Sequence, residues 1–80
     1  MATTNTILET SDGWTAVSFT ALTNRGGLDV EFITDTSAPS EALLGHILEP
    51  EEGLSSSELP TGDTVYFRAF RGRVVLVASA

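Results

Sequence analysis

The chain has 80 residues, no cysteine and a single histidine, so neither disulfides nor a four-ligand zinc site can brace what must be one small core. A domain of this length is weakly stabilised on its own, which leaves association with other subunits as the remaining source of reinforcement. A net charge of −7 with no lysine opposes binding to nucleic acid or an anionic membrane, and a hydrophobic content of 41% separates the chain from disordered sequences.

Residues Met1–Asn5 are small and polar and are expected to form a flexible arm, with a single β domain over residues 6–80. No basic start followed by an apolar run marks a signal or membrane segment. Thr6–Thr10 predicts a first short strand, and Ser11-Asp12-Gly13 a turn. Trp14–Leu22 is rich in β-branched and aromatic residues. It predicts a second strand with Thr15, Val17 and Phe19 on one face and Trp14, Ala16 and Ser18 on the other.

Asn24-Arg25-Gly26-Gly27 reads as a hairpin loop leading into Leu28–Thr34, where Leu28, Val30 and Phe32 point inward and Asp29 and Glu31 outward. Thr36–Gly45 fits either a single helical turn or an extended crossover. Further strands are predicted at Gly45–Leu48 and Leu54–Glu58, separated by the turn Glu49-Pro50-Glu51-Glu52-Gly53. Thr64–Phe70 and Arg73–Ala78 then read as a closing hairpin around Arg71-Gly72.

The register of that hairpin decides which side chains share a face. A two-residue loop sets Phe67 opposite Leu76, and a three-residue loop with Gly72 in the left-handed region sets it opposite Val75. Both registers leave apolar groups on the two faces, which predicts that the face bearing Tyr66, Arg68 and Phe70 is covered by something.

Catalytic patterns are sparse. There is no Gly-x-Ser-x-Gly elbow, and His46 between Gly45 and Ile47 reads as a strand residue rather than a base or ligand. Asp29 and Glu31 stand two residues apart on one strand face, at about the separation of paired glycosidase carboxylates, but an ordinary solvated face looks the same. The acidic turn Glu49, Glu51 and Glu52 does not match a calcium loop. Three of the four basic residues lie in Tyr66–Arg73 among aromatics, as in single-strand binding platforms. Alternation, however, sends Phe67 to the face opposite Tyr66 and Arg68. Arginine pairing with neighbouring carboxylates, or Tyr and Arg as interface anchors, explains the cluster better. No enzyme activity, metal or cofactor is therefore expected.

The order Leu28–Ile33, Ala38-Pro39, Gly45-His46-Ile47-Leu48, Pro50–Gly53, Leu59-Pro60-Thr61-Gly62, Val65-Tyr66-Phe67-Arg68-Ala69 and a closing valine-rich strand resembles the short acidic β-rich accessory virion proteins of tailed bacteriophages. These are proteins of capsid decoration, head fibres or tails. The resemblance runs from about Leu28 to Ala78 and rests on turn and core signals. It implies a symmetric homo-oligomer, often a trimer, laid on a larger protein shell such as that of a major capsid protein. The virion would be the site of action after synthesis in the host cytoplasm. It fixes no functional residue.

The resulting expectation is an all-β antiparallel domain of about seven strands, a sandwich, jelly-roll-like fold or barrel. It is expected to act as a non-enzymatic structural protein that oligomerises and decorates or cements an assembly. Interface candidates are Trp14, Tyr66, Arg68, Phe70 and Arg73, with itself and a shell as partners and neither nucleic acid nor membrane. Two other readings remain open: an acidic inhibitor that imitates nucleic acid, for which carboxylates should be massed on one surface, and a receptor- or carbohydrate-binding tip, for which Trp14 and Tyr66 should lie exposed side by side.

Overall fold

A computed structural model describes residues 3–79, which form eight strands and two single 3₁₀ turns, with no α-helix among them. The strands are β1 (Thr3–Leu8), β2 (Thr15–Ala16), β3 (Ala21–Asn24), β4 (Val30–Asp35), β5 (His46–Leu48), β6 (Gly53–Ser55), β7 (Thr64–Ala69) and β8 (Val74–Ser79). They make two four-stranded antiparallel sheets, ordered β1-β8-β3-β6 and β2-β7-β4-β5. Both sheets have free edges, so neither closes into the barrel that the turn spacing also allowed.

The pairing is nested. β4 pairs with β5, β3 with β6, β2 with β7 and β1 with β8, as in a long antiparallel ribbon doubled back at the β4–β5 connection. Two further pairings, β3 with β8 and β4 with β7, complete the sheets. Every connection except β4–β5 carries the chain from one sheet to the other.

This overturns two expected hairpins. β7 and β8 are not partners: the connection over residues 70–73, with Gly72 at φ 110°, crosses between sheets, so neither hairpin register exists. The expected pairing across Asn24–Gly27 also fails, because β3 and β4 belong to different sheets. Trp14–Leu22 is not one strand but two. Val17 still donates its N–H to the Val65 carbonyl of β7, whereas the Thr20 N–H donates to the Ser79 carbonyl of β8. The inward side changes parity at this bend: Val17 and Phe19 pack on the core, then Leu22 rather than Ala21 is buried, and Ala21, which continues the apolar alternation in the sequence, hides the switch.

Other boundaries move less. The first strand begins at Thr3, so Thr3–Asn5 of the expected arm are paired with Ser79, Ala78 and Val77; β-prone threonines find a partner in a strand that needs one. Met1 and Ala2 lie outside the described residues. Ser56–Glu58, read as strand, is a 3₁₀ turn held by a reciprocal cap between Ser55 and Glu58. The segment 36–45 contains a turn at Glu41-Ala42 but no helix.

One core cluster draws on both sheets: Leu8, Leu22, Val74, Leu76 and Ala78 from the first, Val30, Leu48, Phe67 and Ala69 from the second. Phe67 is wholly buried, with the rings of Phe19 and Phe32 at 5.9 and 6.2 Å. These separations suit edge and tilted aromatic packing.

The core also contains one polar tie. Asn24 has no exposed surface, and its Nδ2 donates to the carbonyls of Leu28 at 2.7 Å and Leu48 at 3.0 Å while Oδ1 accepts from the Gly26 N–H at 3.2 Å. The side chain thus binds the end of β3 to β5 in the opposite sheet and satisfies backbone groups that the sheet switch strips of ladder partners. Glycine is required beside it, since a Cβ on Gly26 would stand 2.6 Å from the Val75 nitrogen. Asn24→Ala is expected to lower the unfolding free energy by about 2–4 kcal/mol in urea titrations, because three polar groups lose their partner in the interior.

Candidate functional site

The outer face of the second sheet carries a row of side chains set by register. Arg68 on β7 lies opposite Glu31 on β4, and Glu31 lies opposite Ile47 on β5. Trp14, one residue before β2, continues the row on the far side of Arg68. An outward row of this kind is normally solvated, yet Glu31 is only 5% exposed.

The connection over residues 36–45 covers it. Arg68 makes a forked contact with Glu31 Oε1, from Nε at 3.0 Å and Nη2 at 2.8 Å. Its Nη1 donates to the Glu41 carbonyl at 2.8 Å, and Nη2 also donates to the Leu43 carbonyl at 3.1 Å. The other oxygen of Glu31 accepts from the Gly45 N–H at 3.0 Å. The Trp14 ring lies under the guanidinium, 4.2 Å from its centre, and the Trp14 Nε1–H donates to the Ser40 carbonyl at 3.2 Å. A planar fork with several donors suits this arrangement, and an ammonium group could not reproduce it.

The loop is also sterically registered. A Cβ on Gly45 would come within 2.6 Å of the Phe32 carbonyl oxygen and 3.0 Å of the Trp14 ring. Gly45 therefore lets the chain pass close over β4 before entering β5.

Held in this way, the loop and its surroundings expose an apolar patch. Leu44 is 81% exposed, Ile47 48%, Leu43 44% and Phe70 36%. Leu44, Ile47 and Phe70 surround a shallow, predominantly apolar hollow whose floor includes Gly45, Glu31 and Arg68. A polar network lies underneath and a greasy rim above.

The interface candidates named from sequence separate. Trp14 and Arg68 come together but face each other and the loop, and both are engaged inside the chain. Tyr66 stands on the same outer face, half-buried and opposite Ile33 and Ala16. Phe70 borders the hollow. Arg73 is exposed in the β7–β8 connection, and because β8 lies in the other sheet no hairpin brings it beside Arg68. Leu43, Leu44 and Ile47 were not recognised from the sequence. The run Ala42-Leu43-Leu44-Gly45-His46-Ile47, with three large apolar residues around a glycine, was the available signal.

Other candidate chemistry is accounted for locally. Glu31 is engaged by Arg68 and Gly45, so the Asp29–Glu31 pair does not present two free carboxylates. His46 is exposed against Phe32, ring centres 5.4 Å apart. In the acidic turn, Glu52 accepts from the Glu49 N–H and Glu51 pairs with Arg25 at 3.4 Å. Among the described residues no group of three or more acidic or histidine side chains is placed to hold a metal ion. A second cleft of about 370 Å³, bordered by Val17, Phe19, Leu59, Pro60 and Val65, opens at the bend between β2 and β3.

No protein-family model, curated protein or solved structure matches the chain.

Arg68→Met strands the Glu31 carboxylate beneath the loop and is expected to cost about 3–5 kcal/mol in stability, whereas the Glu31→Leu, Arg68→Met double variant should recover much of that loss. Amide exchange at residues 41–45 should accelerate in both variants, because both release the carbonyls of Glu41 and Leu43.

Proposed function

We propose that the chain is a small jelly-roll sandwich that works as a non-enzymatic component of a larger assembly, docking through the patch of Leu43, Leu44, Ile47 and Phe70. Eight strands in two sheets with nested pairing support the jelly-roll assignment. The single observation that carries the functional reading is the patch itself. On an acidic chain of 80 residues, three large apolar side chains, Leu44, Ile47 and Phe70, surround one exposed hollow over a fixed base, with exposed Leu43 next to Leu44 in the chain. Pre-organisation of that base lowers the ordering cost of binding, as an interface anchor requires.

The proposed partner is a protein shell, and the resemblance to decoration, head-fibre and tail proteins of tailed bacteriophages makes a phage capsid the specific choice. Copies of the chain also associate with one another in this reading, since a domain this small gains most from shared apolar area. Orientation of Trp14 toward Arg68 and the loop weighs against a carbohydrate-binding tip, where an exposed ring is needed.

Leu44→Ser combined with Ile47→Ser provides the test, because exposed side chains can be changed at a cost of roughly 0.5 kcal/mol each. The unaltered chain should sediment with assembled capsids of its source virus that lack it, and the double variant should remain folded and stay in the supernatant. Equal sedimentation of the two, or failure of the unaltered chain to bind particles, would refute the reading.

A further inference from the structure

We propose that β1 is a self-complementary edge through which two copies of the chain join, in antiparallel register centred on Asn5. Among the described residues the sheets end in four edge strands: β1 and β6 in the first, β2 and β5 in the second. Three are only two or three residues long, a common way of protecting a sheet edge. β1 has six residues, Thr-Thr-Asn-Thr-Ile-Leu, with no charge, proline or glycine to block addition of a strand.

Hydrogen-bond alternation fixes which groups of β1 are free. The Arg25 N–H donates to the Val75 carbonyl, so Val75 and its alternates in β8 face β3. Val74, Leu76 and Ala78 consequently face β1, where they pair with Leu8, Thr6 and Thr4. The peptide groups of Thr3, Asn5 and Ile7 are left pointing outward from the sheet edge.

A second copy of β1, related by a two-fold axis perpendicular to the sheet, meets that pattern. Asn5 falls opposite Asn5 of the second copy, and Thr3 opposite Ile7, so the free groups on each strand face the free groups on the other. The inward threonines match as well, Thr4 opposite Thr6, and the Ile7 side chain, 53% exposed in one copy, gains a threonine neighbour. With no charge on β1, a net charge of −7 per copy places no like-charged pair at the join. Long-range repulsion remains and is screened by salt, so association tightens as ionic strength rises.

This edge lies on the first sheet and is separate from the patch on the second, so it does not rest on that patch being a docking site. Asn5→Cys tests it directly, because the natural chain has no cysteine. Opposed hydrogen-bonded residues have Cα atoms about 5.5 Å apart, within the span a disulfide accepts. Under mild oxidation Asn5→Cys should form a covalent dimer much faster than Thr36→Cys, an exposed control in the β4–β5 connection, and should do so equally when Leu44→Ser is added. Asn5→Pro removes a free N–H without touching the β1–β8 ladder. By light scattering it should shift the mass from twice 8.5 kDa to 8.5 kDa while keeping its β-sheet spectrum. Equal cross-linking by Asn5→Cys and Thr36→Cys, or an unaltered chain that remains at 8.5 kDa when concentrated in high salt, would overturn the proposal.

Discussion

The Glu31–Arg68 ion pair determines what the second sheet presents to its surroundings. Removing two charges from water is costly, and such a pair contributes little to stability unless the remaining donors and acceptors are also satisfied. Here they are: the guanidinium reaches two loop carbonyls and the carboxylate takes a backbone N–H. The result is conformational. Residues 36–45 have no ladder hydrogen bonds of their own, yet they are held at Ser40, Glu41, Leu43 and Gly45 by side chains from the sheet beneath. Leu44 stands out into solvent because its neighbours are fixed from below.

Burial of this pair also changes how Arg68 and Trp14 should be understood. From sequence, an arginine and an aromatic residue in an acidic chain suggest anchors for a partner. In the folded chain both are engaged by the chain itself, and the side chains left exposed are the aliphatic ones of the loop they hold. Alternation correctly placed Glu31 on the outer face, but its burial depends on a covering segment that no local pattern reveals.

The fold was legible to a similar depth. β4, β5 and most turns follow from alternation and from Gly, Pro, Asn and Asp at fixed points, because these are local preferences. Assignment of strands to sheets was not legible. Alternation identifies the apolar face of a strand but is the same whether the next strand lies beside it or across the core. Arg71-Gly72 and Gly26-Gly27 resemble hairpin turns for that reason, although both segments cross between sheets. In sequence Asn24 has the character of a turn residue, and only the assembled core shows that its amide ties one sheet to the other. The apolar character of β7 and β8 has an internal explanation too: Phe67, Ala69, Val74, Leu76 and Ala78 shelter one another across the core of a single chain.

The nested pairing has a consequence for how the chain comes to be folded during synthesis. Only the β4–β5 pair joins neighbouring strands, so it is the sole pairing that can close early with a short loop. β8 sits between β1 and β3, and until the ribosome has made it, β1 has no partner and β3 lacks one of its two. β1, which carries no charge, therefore waits unpaired until β8 is made, a period when nascent chains on one message are close together and most exposed to misassembly.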